Sequence, residues 1–239
     1  MDFSQKVCII TGAGSGIGEA TAIEISKNRT YQNIVLIGRK IASLQATKQQ
    51  MDGSEKNIVL KEFDLSNLEM IPQLAKSIYD EFGRIDCLLN IAGYTEPKSL
   101  LDTSIESFEY TYKVNVFSVF LLIKECTKYM KRTGGKVLNV ASTAGITPRP
   151  GWLSYSSSKA AIVSMSETLS QELAEYKILV YCVSPGRCAT KLRKKLAPDE
   201  DPSTIMQPCE VAQVICNLVD ENEKCLDGQN IIIRKQLGL

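Results

Sequence analysis

The stretch Thr11-Gly12-Ala13-Gly14-Ser15-Gly16-Ile17-Gly18 decides the fold of this 239-residue chain. It directly follows an apolar, β-type run, Lys6–Ile10, and it opens a segment through Ala20, Ile23 and Ile25 that is typical of a helix. Glycines at a strand-to-helix turn allow a pyrophosphate to approach the backbone closely, and the helix N-terminus offers it free N–H groups. The stretch therefore predicts a dinucleotide-binding strand–turn–helix unit.

The glycine spacing excludes two common phosphate-binding loops. The pattern G-x-G-x-x-G fails in every register, and no Gly-Lys-Ser/Thr follows to complete a Walker loop. The spacing present is T-G-x-x-x-G-x-G. Taken alone it is also compatible with a tight structural bend, so its meaning depends on the rest of the chain.

Strand-like and helical segments alternate along the whole chain. The predicted strands, seven in all, are Lys6–Ile10, Asn33–Ile37, Asn57–Phe63, Asp86–Ile91, Lys136–Val140, Ile178–Val183 and Asn230–Ile233. Runs that are apolar at nearly every residue are typical of strands covered on both faces. This alternation predicts an α/β fold: one doubly wound, Rossmann-like parallel sheet with helices on both faces, forming a single domain over residues 1–239. One helix is expected to run through residues 68–78, with Ser66 as its cap and Gly83 just beyond its end.

Composition excludes several classes of function. The net charge is +1, which lacks the basic excess that nucleic acid or an anionic membrane would require. No apolar run approaches the ~20 residues that span a bilayer, and Met1–Ile10 lacks a signal-peptide pattern. The chain has no histidine, so Ser-His-Asp and Cys-His catalysis and histidine-based zinc sites are excluded, and no metal is expected.

The cysteines indicate a reducing compartment. All eight are scattered, at positions 8, 87, 126, 182, 188, 209, 216 and 225, without a C-x-x-C pair. Several lie inside apolar runs. This pattern predicts buried free thiols and a cytoplasmic protein.

Further motifs follow the glycine turn in order. They are Asp64-Leu65, Asn90-Ile91-Ala92-Gly93, Asn115, Ser142, Tyr155-x-x-x-Lys159 and Pro185-Gly186-x-x-x-Thr190. In this order they resemble the short-chain dehydrogenase/reductase family over residues 6 to about 190. Ile91 is a mild departure, because the family pattern reads N-N-A-G at that place.

The resemblance implies an oxidoreductase that moves a hydride between NAD(P)(H) and the carbonyl or secondary alcohol of a small molecule. It gives Ser142 a hydrogen bond to the substrate oxygen, Tyr155 the proton transfer and Lys159 the tuning of Tyr155. It also gives Asn115 support of a water-linked proton path to the lysine. The implied cofactor contacts are Gly12, Gly14, Ser15, Gly16, Ile17, Gly18, Arg39, Asp64, Leu65, Asn90, Ala92, Gly93, Tyr155, Lys159, Pro185, Gly186 and Thr190.

Tyr155 and Lys159 also make chemical sense as a pair. They are four residues apart in a segment, Tyr155–Tyr176, that reads as helix, so they share one face. A free tyrosine, with a pKa of about 10, is a poor acid near neutrality, but a nearby ammonium group lowers that pKa. Such a pair is also common on a solvated helix face. The position thirteen residues after Ser142, at a strand end, favours the functional interpretation.

The end of the second predicted strand reads Ile37-Gly38-Arg39-Lys40. NAD sites place an acid there for the ribose 2′-hydroxyl, whereas NADP sites place a basic residue for the 2′-phosphate. Gly38 stands in the position of the acid, and Arg39 offers a planar fork for a phosphate. Ser15 occupies the place of a second basic NADP marker. NADP is therefore expected over NAD.

The segment after Pro185-Gly186 is where the family's substrate loop begins, and residues 187–208 are expected to form it. Residues 187–195 contain five basic side chains, and Arg187 and Arg193 are candidates for binding a phosphorylated or otherwise anionic ketone. Residues 187–205 also resemble the corresponding loop of reductases that convert a pentulose phosphate to a pentitol phosphate. A solvated surface face is the plainer interpretation.

Two other functions stay open. The first is reduction of a 3-oxoacyl thioester on acyl-carrier protein, for which the basic residues would dock an acidic carrier. The second is a dinucleotide-sensing protein without catalysis. The resemblance also implies a homodimer or homotetramer built on helices near 104–131 and 152–176. The apolar residues that suit this interface are Val119, Phe120, Leu122, Ile162 and Val163, although burial against the sheet explains some equally well.

Overall fold

A computed structural model describes residues 5–27, 30–52 and 55–235. Its strands are β1 (Val7–Thr11), β2 (Asn33–Gly38), β3 (Asn57–Glu62), β4 (Cys87–Asn90), β5 (Gly135–Val140), β6 (Ile178–Pro185) and β7 (Asn230–Ile233). They form one seven-stranded sheet in the order β3-β2-β1-β4-β5-β6-β7. All neighbouring strands are parallel, which confirms the predicted doubly wound fold. Residues 1–4 and 236–239 of the predicted domain lie outside the described residues.

Helices connect the strands and cover both faces of the sheet. They are α1 (Gly16–Lys27), α2 (Ile41–Gln50), α3 (Ile71–Phe82), α4 (Ile105–Tyr112), α5 (Ser118–Met130), α6 (Leu153–Leu173), α7 (Lys191–Leu196) and α8 (Pro208–Leu218). Alternate residues of β1 enter two different apolar cores: Cys8 and Ile10 the first, Val7 and Ile9 the second. Successive side chains of a strand point to opposite faces, so the two cores lie on opposite sides of the sheet. The first includes residues of α1, α2 and α8, and the second residues of α3, α5 and α6.

The predicted strands agree with the observed ones to within about two residues at each end. The largest difference is at β6, predicted to end at Val183 and observed to continue to Pro185. The extension arises from tertiary pairing, because Ser184 and Pro185 are paired with Ile232 and Ile233 of the last strand.

The start of α3 differs from the prediction. Ser66 is not its cap, because a 3₁₀ turn at Leu68–Met70 intervenes and Met70 occupies the N-cap position. The α-helix begins at Ile71. Pro72 is tolerated in its first turn, because the backbone N–H groups there have no acceptor within the helix. The prediction for the other end is confirmed: Gly83 ends the helix with a φ of 71°, in the left-handed region that favours glycine.

The segment 187–208 is more ordered than a plain loop. It contains α7 and a 3₁₀ turn at Pro202–Thr204, and the Thr190 side chain caps α7 by accepting from the Arg193 N–H. The sequence prediction of a substrate loop over residues 187–208 did not include this short helix.

Most of the residues expected at an oligomer interface pack inside the chain. Val119, Leu122 and Ile162 are buried in the second core, and Val163 is half-buried beside it. Phe120, in contrast, is 46% exposed. Burial against the sheet therefore accounts for three of the five predicted interface residues.

Within the described ranges, no helix combines the length and the apolarity that crossing a membrane requires. All eight cysteines are free thiols, and all but Cys209 and Cys225 are buried. This confirms the predicted burial for most of them.

Candidate active site

A cavity of about 720 Å³ lies at the carboxyl ends of the parallel strands. It opens where the chain reverses its direction of sheet growth, between β1 and β4, which is where open α/β sheets bind ligands. Its volume falls in the range of about 300–1,000 Å³ that is typical of cofactor and substrate sites. The cavity wall contains every predicted site residue except Asn90 and Asn115.

The glycine turn forms one end of the cavity. Gly12 has a φ of +68°, and a Cβ atom there would lie 2.8 Å from the Ala92 Cα. A Cβ on Gly18 would lie only 2.2 Å from the Gly12 carbonyl oxygen. The backbone packs so closely here that neither position can hold a larger residue. The first turn of α1 therefore faces the cavity without side chains from these two positions. That geometry fits the pyrophosphate of a dinucleotide.

Thr11, which the sequence analysis quoted in the glycine turn but did not include among the site residues, joins this turn to the segment after β4. Its Oγ1 accepts from the backbone N–H groups of Ile91 and Ala92 at 3.0 and 3.1 Å and donates to the Leu89 carbonyl at 3.2 Å. Ala92 and Gly93 are thereby held at the cavity wall.

Two cations lie at the end of β2. Arg39 and Lys40 both line the cavity and are exposed. Within the described residues neither takes part in an ion pair. Ser43 on α2 lies beside them in the wall, close to Gly14. A phosphate at this end would meet two cations and a hydroxyl, of which sequence reasoning identified only Arg39 as a cofactor contact.

Tyr155, Ser142 and Lys159 meet at the other end. Tyr155 is only 6% exposed. Burial raises the pKa of its hydroxyl, while a hydrogen bond with Ser142 and the nearby charge of Arg193 act in the opposite direction. Ser142 lies two residues after the end of β5, and its Oγ accepts a hydrogen bond from the Ala144 N–H at 3.1 Å. This group can exchange a proton with a bound oxygen atom.

Lys159 lies beneath Tyr155, one helical turn further along α6. Its Nζ is 5.9 Å from the centre of the Tyr155 ring and donates to the Val140 carbonyl at 2.7 Å. Because the side chain is buried, the pKa of Lys159 falls to about 8. The lysine is thus still mainly protonated at neutral pH and places a positive charge near the phenol.

Asn115 lies behind the cavity wall and holds a wall residue, Tyr94, in place. The residue belongs to a π-helical turn, Lys113–Phe117, that joins α4 to α5. Its Oδ1 accepts from the Tyr94 N–H at 2.8 Å, and its Nδ2 donates to the Tyr94 carbonyl at 2.9 Å and to Ser158 Oγ at 3.0 Å. Asn115 therefore ties the wall residue Tyr94 to α6.

Asn90 is also behind the wall. Its Nδ2 donates to Asn139 Oδ1 at 2.8 Å, a buried contact that joins β4 to β5. Its backbone leads directly into Ile91, Ala92 and Gly93, which do line the cavity.

The segment after β6 covers the Tyr155 end of the cavity. The Arg193 guanidinium lies 5.6 Å from the Trp152 ring centre, and Lys195 Nζ lies 5.7 Å from that of Tyr94. Arg187 and Arg193 both pair with Glu200, so the two predicted substrate residues meet on one carboxylate. Sequence reasoning missed Tyr94, Trp152 and Glu200, because no motif contains them and only the fold brings them together.

The chain matches the family model described as short chain dehydrogenase over residues 6–201. It is 31% identical to a 3-oxoacyl-[acyl-carrier-protein] reductase of Thermotoga maritima, over 97% of both chains. Among solved structures it is similar to ElxO with NADP bound (TM-score 0.86, 26% identity, 96% of this chain and 97% of that one). It is also similar to a 3-ketoacyl-(acyl-carrier-protein) reductase of Brucella melitensis complexed with NADH (TM-score 0.85, 26% identity, 95% and 96%).

The family match covers most of the chain, and the fold and the order of the motifs agree with it. The chain belongs to the short-chain dehydrogenase/reductase family of oxidoreductases.

Proposed function

We propose that this protein is an NADP(H)-dependent oxidoreductase that interconverts a carbonyl and a secondary alcohol of a small substrate, with Tyr155 as the proton donor and acceptor. The observation that carries the proposal is the grouping of Tyr155, Ser142 and Lys159 in the same cavity as the glycine turn. A hydride transfer and a proton transfer could then act on the same substrate within one cavity.

The cavity residues fit a dinucleotide along its length. The turn from Gly12 to Gly18 would hold the pyrophosphate, Asp64 and Leu65 the adenine, and the residues of the β4 and β6 ends the nicotinamide. Those residues are Ala92, Gly93, Pro185, Gly186 and Thr190. When bound, the cofactor supplies or accepts the hydride.

The protein's own side chains supply orientation and the proton. In this proposal Ser142 Oγ donates to the substrate oxygen and Tyr155 protonates that oxygen as negative charge develops on it, and the position of both residues in the cavity wall supports these roles. The charged Lys159 favours the phenolate once Tyr155 has given its proton. Asn115 acts on the site as a positioning residue, because it holds Tyr94 and α6 in register.

NADP is the proposed cofactor. Arg39 and Lys40 line the adenosine end, and Gly38 offers no carboxylate to repel a 2′-phosphate. The likeness to ElxO with NADP bound favours the same choice, although the similar Brucella reductase was solved with NADH.

Reduction of a 3-oxoacyl thioester is the second candidate, favoured by the 31% identity to the Thermotoga reductase. It needs a surface that attracts an acidic carrier protein, and Lys191, Lys194 and Lys195 on α7 would supply it. A sensor without catalysis is disfavoured, because Ser142, Tyr155 and Lys159 are all present and brought together.

Two properties of the whole protein complete the proposal. A homodimer or homotetramer would use the exposed Phe117 and Phe120 on the π-helical turn and α5. The eight free cysteines, most of them buried, favour the cytoplasm.

The test is a panel of activated ketones, ketose phosphates and acetoacetyl thioesters, with NADPH or NADH consumption as the readout. We expect turnover that is faster with NADPH, and Arg39→Asp lowers the NADPH/NADH ratio of kcat/KM by at least about tenfold. No turnover across the panel would contradict the reductase. An unchanged cofactor ratio would remove Arg39 from the site.

A further inference from the structure

Glu200 joins the two arginines of the segment that covers the cavity. Its carboxylate takes a bidentate pair from Arg193, with Nε to Oε2 at 2.5 Å and Nη2 to Oε1 at 2.8 Å. Arg187 Nη1 approaches the same Oε1 at 3.3 Å. The Glu200 carboxylate therefore occupies the anion-binding fork of Arg193 and also accepts a hydrogen bond from Arg187.

The fork lies at the substrate end of the cavity. Arg193 stacks on Trp152, which precedes Tyr155 by one helical turn, and its charge acts on the Tyr155 hydroxyl. Arg187, Arg193 and Trp152 all line the cavity, whereas Glu200 is outside its wall. An oxyanion on a substrate held at Tyr155 would thus reach the same two guanidinium groups.

The arginine needs an anion, but the anion need not be Glu200. The Arg193 side chain is only 18% exposed, so leaving it without a partner is unfavourable. Glu200 lies between the end of α7 and the 3₁₀ turn at Pro202–Thr204, next to the exposed Pro198, Asp199 and Asp201. A shift of this surface segment would free the fork without disturbing the sheet.

Resting on the reductase function proposed above, we propose that Arg193 and Arg187 bind a phosphate or carboxylate group of the substrate, and that Glu200 occupies their site until the substrate displaces it. Glu200 then sets the affinity of the site for the anion. It keeps the fork paired in the free protein and raises the substrate concentration needed to fill the site, because binding must compete with the internal carboxylate.

Trp152 makes the exchange measurable without catalysis. It is the chain's single tryptophan, and Arg193 stacks on it, so movement of the guanidinium changes its fluorescence. We would titrate the wild-type protein with inorganic phosphate and, separately, with acetate. A response to phosphate alone assigns a phosphate site, a response to both assigns a general oxyanion site, and a response to neither overturns the proposal.

The variants locate the response. In Glu200→Gln the competing charge is gone, and we expect phosphate to bind at least about fivefold more tightly, because the partly buried fork no longer has to release a carboxylate first. Glu200→Ala should shift affinity in the same direction. Asp199→Asn, which removes the same charge from the neighbouring residue, should leave the dissociation constant at its wild-type value. Arg193→Leu should abolish the response.

Equal phosphate affinities in Glu200→Gln and wild type would overturn the proposal, as would a response that survives Arg193→Leu. Because no turnover is measured, these results are independent of the reductase test. A protein that binds phosphate in this way and reduces no ketone contradicts the proposed function alone. A protein that reduces ketones and fails the titration contradicts only the proposed anion site of Arg193, Arg187 and Glu200.

Discussion

Lys159 illustrates how a residue can serve the site at the expense of stability. It is 3% exposed and holds its charge near Tyr155, with a pKa lowered by burial from 10.5 to about 8. The charged form is therefore less favourable in the folded protein than in the unfolded chain. A shift of this size corresponds to roughly 3 kcal/mol of destabilisation at neutral pH.

Lys159→Met should consequently stabilise the cofactor-free protein while it abolishes activity. Removing the charged group relieves this destabilisation, but loss of the hydrogen bond to the Val140 carbonyl offsets about 1 kcal/mol of the gain. We therefore expect the free energy of unfolding to rise by about 2 kcal/mol. The folded pKa lies below the unfolded one, so the gain is full below pH 8 and disappears as the pH rises through 10.5. Urea unfolding at several pH values measures it, and a destabilised variant at pH 7 would contradict the reasoning.

At the scale of elements, Lys136 is a second buried lysine, and burial lowers its pKa too, but its ammonium group contacts three carbonyls where that of Lys159 contacts one. It extends from β5 to the end of α8, where its Nζ donates to the carbonyls of Leu218, Asp220 and Glu223 at 3.1, 2.5 and 2.6 Å. The last carbonyls of a helix have no partner within the helix, and a cation there also interacts favourably with the negative end of the helix dipole. Lys136 thus joins the end of α8 to the centre of the sheet.

Lys136→Met should therefore destabilise the protein, by about 2–4 kcal/mol, because three carbonyls, one buried and two partly buried, lose their shared donor. Equilibrium urea unfolding at pH 7 checks this. Lys224→Met is the matched control: Lys224 is exposed, and its replacement should stay within about 0.5 kcal/mol of wild type. Similar stabilities for the two variants would show that the contacts at the end of α8 contribute little.

The sequence predicted helix and strand ends well where one residue type requires them. It predicted them less well where contacts with distant parts of the chain set the boundary. The glycine turn and Gly83 were predicted because their backbone geometry requires glycine. Ser66 was a wrong cap, since a 3₁₀ turn delays the start of α3 to Ile71. The helix α7 was missed because its six residues are too short to show a helical period.

At the scale of the whole molecule, alternating strands and helices were enough to predict the sheet. Parallel βαβ connections restrict the topology strongly, and the observed order is one of the doubly wound arrangements that they allow. The site was predictable where its residues belong to ordered motifs, as with Ser142, Tyr155 and Lys159. Tyr94, Trp152 and Glu200 were not, because each reaches the cavity region through contacts between segments that are distant in sequence or outside any motif.

The central claim is that the Tyr155 hydroxyl moves the proton of the reaction. Tyr155→Phe removes that hydroxyl and keeps the ring. The most direct measurement compares single-turnover NADPH oxidation by wild type and Tyr155→Phe with the best substrate of the panel, alongside NADPH binding by each. We predict unchanged binding and a loss of about 10²-fold or more in the rate, as expected for removal of a general acid. A variant that binds NADPH normally and keeps more than about a tenth of the wild-type rate would contradict the account.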